Sequence, residues 1–179
     1  LDIMGPLRRT DRGNRYVLVV GDYFTKWIEA YAIPDQEAST VARVFCEEFL
    51  CRYGVQDEIH CDQGRNFESG VIKEVCELMG IHKTRTTPFR PQSDGLIERF
   101  NRTLGAVLSK VVDVRQHDWD ERLPYAMLTY RTSVHSSTGF PPVEVLLGMK
   151  TRLPVDLLLS ERSGMSYGGL RTAAGRNSK

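Results

Sequence analysis

The chain has 179 residues, a formal net charge of +1, 41% hydrophobic and 26% charged residues. This is the profile of one globular domain with room for a single sizeable core. It excludes a collagen-like, disulfide-stapled or wholly disordered chain, and the longest apolar run, Tyr16 to Gly21, falls far short of the ~20 residues that a bilayer span needs. Taken alone, near-neutrality argues against a nucleic-acid partner, which usually meets a strongly basic surface.

The sequence opens on Leu1-Asp2 with neither an initiator Met nor a basic-then-apolar leader, and reads as a piece of a larger polypeptide. Leu1 to Met4 alternates apolar and polar before Gly5-Pro6, the end of a strand. Thr10 to Asn14 is turn chemistry. Tyr16 to Val20 is a β-branched run stopped by Gly21, expected as a central strand buried on both faces. Lys26 to Ile33 suits a third strand nearer an edge. The period then changes: Ala38 to Tyr53 places Val41, Val44, Phe45, Phe49 and Leu50 on one helical stripe, closed by Gly54.

Glu58 to Cys61 reads as a fourth strand, Val71 to Met79 as a helix stopped by Gly80, and Ile81 to Thr87 as a fifth strand. This alternation is that of an α/β layer with parallel pairing. Thr87 to Gly95, with two prolines and a glycine, is expected as an irregular, mobile loop, with Asp94 capping a helix from Gly95 to Val112. A further helix is expected from Asp118 to Val134 and a short one from Val143 to Leu147. The last 20 residues hold four Gly, four Ser and one acid and read as a disordered tail after a core spanning 1–158.

Four cysteines (Cys46, Cys51, Cys61, Cys76) form no C-x-x-C pair, which disfavours zinc and suits a reducing compartment. Cys46 and Cys76 fall at expected buried helix positions, and His60 and His82 read as ordinary strand residues. Three acids stand out by position. Asp2 lies in the first strand, Asp62 just past the carboxyl end of the fourth, where α/β sheets gather ligands, and Glu98 in the first turn of the helix after the loop. If the first and fourth strands are neighbours, Asp2 and Asp62 lie side by side with Glu98 in reach. Clustered carboxylates repel unless cations neutralise them, and hard oxygen donors select Mg²⁺ or Mn²⁺. Two such ions can clamp a phosphodiester.

The segments LDIMGPL, YVLVVGDYFTKWIEAY, IHCDQGRNFES, TTPFRPQSDGLIERFNRTL, DWDERLPYAMLTYRTSVHSSTGFPP and EVLLG, in that order, closely resemble the catalytic core of retroviral and long-terminal-repeat retrotransposon integrases, nearest the gypsy-like branch. The resemblance implies an RNase H-like α/β fold with a mixed five-stranded sheet flanked by helices. It also implies a catalytic and metal-binding triad of two Asp and a Glu. Asp62 and Glu98 have the family's 35 intervening residues, and Asp2 matches the first ligand. Asp22, after the most conspicuous strand, then reads as a polar turn cap.

The same resemblance assigns DNA contact to Asn66, Gln92, Ser93, Arg99 and Arg102, two Mg²⁺ or Mn²⁺ ions when DNA is bound, and retroelement ends and target DNA as partners. It implies self-association and, in a eukaryotic host, a nuclear destination. No membrane and no small-molecule substrate is implied. Cys61 stands where many relatives carry a small hydroxyl residue. The family's amino-terminal zinc-binding module and carboxy-terminal DNA-binding domain have no counterpart in these residues. A catalytically silent or domesticated fragment that binds DNA or oligomerises, and an RNase H-type hydrolase, stay open beside the integrase reading.

The charge balance conceals segregation. His82 to Arg102 carries five Lys/Arg against two acids, and Asp35 to Glu58 carries six acids against two arginines. Near-neutrality therefore leaves room for a DNA partner.

Overall fold

The structure, a computed structural model, describes residues 1–61, 64, 67–85, 91–111 and 117–156. Strands β1 (Asp2–Met4), β2 (Tyr16–Gly21) and β3 (Ile28–Ile33) form an antiparallel meander, with Asp2 opposite Val19 and Gly21 opposite Ile28. Alternate residues of β2 point to opposite sides. Leu18 and Val20 join one core with Val41, Phe45 and Ile72, while Val17 and Val19 join a second core with Phe100, Leu104 and Leu123. All four are at most 5% exposed, so the continuous apolar run is the signature of a strand covered on both faces.

After the meander, α1 (Ala38–Val44) runs through a π-helical stretch, Phe45–Leu50, into α2 (Cys51–Tyr53). The single regular helix expected here is thus widened in its middle. The ring of Phe45 stacks on Phe49 at 5.6 Å, and Phe49 meets Tyr53 at 5.0 Å. The wider turn keeps Phe45, Phe49 and Leu50 all buried. Cys76 is buried as expected, whereas Cys46 is only half-buried, because the stretch turns it toward the flank of the core.

Strands β4 (Glu58–Cys61) and β5 (His82–Arg85) pair in parallel around α3 (Gly70–Met79). The Ser69 hydroxyl accepts from the Ile72 amide at the start of α3, and Gly80 closes the helix in the left-handed region at φ 69°. Among the described residues the strands form a three-stranded and a two-stranded sheet rather than one of five. Between them the Leu1 nitrogen donates to the His60 carbonyl at 2.6 Å, and Leu18 and Val20 share a core with Ile59 and Cys61.

The second helical layer comprises α4 (Pro91–Val111), α5 (Trp119–Thr132) and α6 (Pro142–Leu147). α4 begins a full turn before the expected Gly95, so Asp94 sits inside the helix and not at its cap. The fixed φ of proline and its missing N–H suit the first helical position, which makes Pro91 a starter rather than a breaker. The expected loop is thereby shortened from its carboxyl side, and its remainder, 86–90, lies outside the described residues. The expected tail from 159 onward lies outside them too. Among the described residues no helix is long and apolar enough to cross a membrane.

Two polar clusters lock α5 to the meander. Buried Asp120 accepts from the Thr10 hydroxyl at 2.9 Å and from Asn14 Nδ2 at 2.7 Å, and the Trp119 indole donates to the Arg8 carbonyl at 2.6 Å. At the other end of α5, Arg131 pairs with buried Glu29 of β3 at 2.6 Å.

Candidate active site

Asp2 is held from two directions. Its Oδ1 accepts from the Ile3 amide at 2.8 Å, and its Oδ2 accepts from Asn101 Nδ2 of α4 at 2.6 Å. Asn101 lies one helical turn beyond Glu98, so its bond to Asp2 sets that turn of α4 directly against β1. Residues three apart on a helix are neighbours on its surface, so Glu98 occupies the adjoining surface position of α4, mostly exposed. The other end of the Asn101 amide, Oδ1, is buried with no hydrogen-bond partner, an unmet acceptor beside the carboxylate.

Sequence reasoning missed Asn101. The available signal was its position three residues after Glu98, on the face that the apolar stripe turns toward the sheet.

Close approach of α4 to β2 depends on Gly21. A Cβ at that position would sit 2.5 Å from the tip of the Ile97 side chain. Glu98, next in sequence, is mostly exposed and pairs with Arg102 at 3.2 Å, one turn further along. Arg102 is thus engaged with the carboxylate itself. With both partners more than two-thirds exposed, the pair contributes only about 0.3–0.5 kcal/mol and leaves each side chain free to turn to another ligand. Arg99 is exposed on the same helix, and Gln92 and Ser93 lie in its first turn.

Asp62 and Asn66 lie outside the described residues. What is described is the strand that leads to Asp62. Cys61 is fully buried, its thiol directed at the Thr84 carbonyl at 3.8 Å, and the Leu1–His60 bond sets β4 beside β1. His60 pairs with Thr84 across the parallel ladder at 3.1 Å, and His82 lies 4.0 Å from Glu58. Both are strand residues engaged with neighbours.

Among the described residues no group of three His, Cys, Asp or Glu could hold a metal ion. The described part of the site supplies two carboxylates and an unmet amide oxygen, all hard donors of the kind a divalent cation of the Mg²⁺ class takes. Nothing soft competes, so the donor chemistry fits such an ion.

Asp22 serves the turn between β2 and β3. Its Oδ2 accepts from the Thr25 amide at 3.0 Å and hydroxyl at 2.5 Å, and its Oδ1 from the Phe24 amide at 3.1 Å. Burial pushes its pKa upward, but the Thr25 and Phe24 donors and the nearby Lys26 charge outweigh that, so the net displacement is downward from 3.8. A carboxylate with a depressed folded pKa stabilises fully above its unfolded pKa and loses that contribution as pH falls through the folded value. Asp22→Asn is therefore expected to cost about 1 kcal/mol at pH 7 and progressively less below pH ~4. Urea titrations at the two pH values check this, and an equal loss at both would refute it.

Residues 1–91 match the family model described as integrase core domain. Over 154 residues the chain is 28% identical to the retrovirus-related Pol polyprotein from transposon 412 of Drosophila melanogaster, covering 86% of the chain and 12% of that polyprotein. It is 36% identical over 137 residues to the Gag-Pol polyprotein of Woolly monkey sarcoma virus, covering 76% of the chain and 8% of the polyprotein. The chain thus spans about a tenth of the length of these curated relatives. Among solved structures, the catalytic core domain of BIV integrase superposes with a TM-score of 0.64 at 27% identity, over 82% of this chain and 91% of that one. An integrase in the simian T-cell lymphotropic virus intasome in complex with PP2A regulatory subunit B56 gamma shares the fold, with a TM-score of 0.66 at 21% identity over 86% and 54% of the two chains. With the family model covering just over half of its length and this fold behind it, the chain belongs to the integrase core domain family.

Proposed function

We propose that this chain is the catalytic core of a retroelement integrase, transferring polynucleotidyl groups in DNA with Mg²⁺ or Mn²⁺ held by Asp2, Asp62 and Glu98. Two such ions, when bound, neutralise the scissile phosphodiester and activate the attacking hydroxyl. The chain's own contribution is positional. Asn101 fixes the rotamer of Asp2, the Leu1–His60 bond aligns the strand that leads to Asp62, and α4 presents Glu98.

In the first step a water oxygen attacks phosphorus near the 3′ end of element DNA; the P–O3′ bond breaks, the 3′ oxygen of the retained strand takes up a proton to become a free hydroxyl, and the terminal nucleotides leave carrying the 5′ phosphate. In the second, the freed 3′ hydroxyl attacks a target phosphodiester and expels a target 3′ oxygen. No covalent enzyme intermediate forms, so no Ser, Cys or Tyr nucleophile is required. In this reading Asn66, Gln92, Ser93, Arg99 and Arg102 line the DNA path. Self-association and a nuclear destination in a eukaryotic host complete the assignment.

The observation that carries the reading is the Asn101–Asp2 hydrogen bond, which joins the β1 carboxylate to the helical turn of Glu98. The test is a Mn²⁺-supported disintegration assay on a branched DNA, using the chain as it stands. Resolution of the branch is the expected result. Absence of any reaction, with duplex binding retained, would favour the silent DNA-binding fragment, and cleavage restricted to an RNA–DNA hybrid would favour the hydrolase.

A further inference from the structure

The loop between β1 and β2 carries Arg8, Arg9, Arg12 and Arg15 against the single acid Asp11, four cations in eight residues. All four arginines are exposed. Arg12 pairs with Glu121 of α5 at 3.0 Å, and among the described residues no ion pair engages Arg8, Arg9 or Arg15.

A loop with this self-repulsion would be expected to be loose, yet its backbone is bonded at several points. The Leu7 amide donates to the Arg15 carbonyl at 2.6 Å, the Thr10 amide to the Asn14 carbonyl at 2.9 Å and the Asp11 amide to the His117 carbonyl at 3.1 Å. Beneath it lie the buried Asp120 carboxylate, holding Thr10 and Asn14, and the Trp119 indole, holding the Arg8 carbonyl. Gly5 completes the fit: its φ is +139°, and a Cβ there would lie 2.8 Å from the Tyr16 ring. The hydrogen-bonding capacity of the loop is spent inward, and its charge is spent outward.

The position of the loop relative to the candidate site is fixed by α4. Asn101 touches Asp2, Gly105 meets Met4 of β1, and Leu108 and Ser109 share a small apolar pocket with Leu7 and Arg8. The arginine loop therefore lies beside the carboxyl-terminal turns of the helix that presents Glu98. At a rise of 1.5 Å per residue, Glu98 and Ser109 are about 16 Å apart along the axis, the length of roughly five base pairs. Arg102 lies on an exposed position of α4 between the site and the loop, and Lys110 on an exposed position just past Ser109.

We propose that the Arg8–Arg15 loop is a pre-organised contact for the sugar-phosphate backbone of duplex DNA bound at the Asp2/Glu98 site, about half a helical turn from the reacting phosphodiester. This inference rests on the DNA-integration reading and adds the surface that positions the duplex. Guanidinium groups favour phosphate through bidentate hydrogen bonds, and a rigid loop loses little entropy on binding. Such contacts set register and orientation without reading sequence.

The test is fluorescence anisotropy of a labelled 20-base-pair duplex against the full chain across a salt series, with disintegration activity followed in parallel. Each phosphate contact contributes about 0.9 to the slope of log affinity against log salt. Replacing Arg8, Arg9 and Arg15 together by Gln, with Arg12 kept for its pair with Glu121, is expected to flatten that slope by about 2 to 3 and to weaken binding more than about tenfold at 0.1 M salt. The corresponding triple Lys variant should keep the slope. Each single Gln variant should lose about 0.9 of it, which keeps the test decisive if the triple Gln variant folds poorly.

An unchanged slope and affinity in the triple variant, with the unaltered chain binding and resolving branched DNA, would overturn this proposal and leave the integrase reading standing. Failure of the unaltered chain to bind duplex at all would overturn both. A triple variant that retains DNA affinity but loses self-association in sedimentation would assign the loop to an acidic face of a second copy, and overturn the DNA contact.

Discussion

Glu98→Gln is expected to lower Mn²⁺-supported disintegration at least about 100-fold, with duplex affinity changed less than about threefold. The side chain is exposed and its only described partner is Arg102 at 3.2 Å, so the fold has little to lose when the charge is removed. The loss falls on metal binding alone, because an amide is a weaker ligand than a carboxylate for a hard cation and brings no charge to balance it. Asp62→Asn should behave in the same way. Asp22→Asn, which disturbs only the β2–β3 turn, should stay within about threefold of the unaltered chain once its ~1 kcal/mol stability loss is allowed for. Full activity in Glu98→Gln or Asp62→Asn would refute the triad. Equal inactivity in a folded Asp22→Asn would move the first ligand from β1 to β2.

Arg131→Ala should be the most destabilising of the exposed-to-buried charge deletions, by about 3–5 kcal/mol. The Glu29 carboxylate that it leaves behind is 9% exposed. One of its oxygens already accepts from the Trp27 indole at 3.0 Å and from the Tyr53 hydroxyl. The other depends on Arg131 at 2.6 Å. Arg131 also donates to the Ile28 carbonyl through Nε at 3.0 Å and Nη2 at 2.9 Å, and stacks 4.2 Å above the Trp27 ring. Its removal therefore strands a buried charge and uncovers a main-chain acceptor together. For a chain of this length the expected fall in Tm is on the order of 8–15 °C by calorimetry. The double variant Arg131→Ala/Glu29→Gln should recover part of that fall, since the stranded charge is gone. A Tm within 2 °C of the unaltered chain for Arg131→Ala would show that water replaces the guanidinium without penalty.

The elements read from the sequence were those with a sharp period. The unbroken apolar run of β2 identified a strand between two layers because alternate side chains had to be absorbed on both faces, and the cores around Leu18 and Val17 are those layers. Boundaries set by proline were harder. Pro91 looked like loop chemistry beside Pro88, while the helix uses it as its first residue. The widening at Phe45–Leu50 leaves no mark in the hydrophobic pattern, since ring stacking and not burial distinguishes it from an ordinary turn.

At the site, Asp2 and Glu98 were legible only through a resemblance and a spacing. The side chain that holds Asp2 from α4, Asn101, was not, because a lone asparagine on a helix has no period and finds its partner 99 residues away. The single five-stranded sheet was read from the same resemblance, and the described strands divide instead into three and two, with the Leu1 nitrogen bonded to the His60 carbonyl between them.

The contacts of Arg131 have a meaning for behaviour at high concentration. Among the described residues β3 pairs only with β2, so its other side is a sheet margin of the kind that recruits strands from neighbouring molecules. Two donors from one guanidinium occupy the Ile28 carbonyl, the Tyr130 hydroxyl occupies the Lys26 carbonyl at 2.9 Å, and α5 packs along the strand. The last turn of α5 thus occupies main-chain acceptors that an incoming strand would otherwise use.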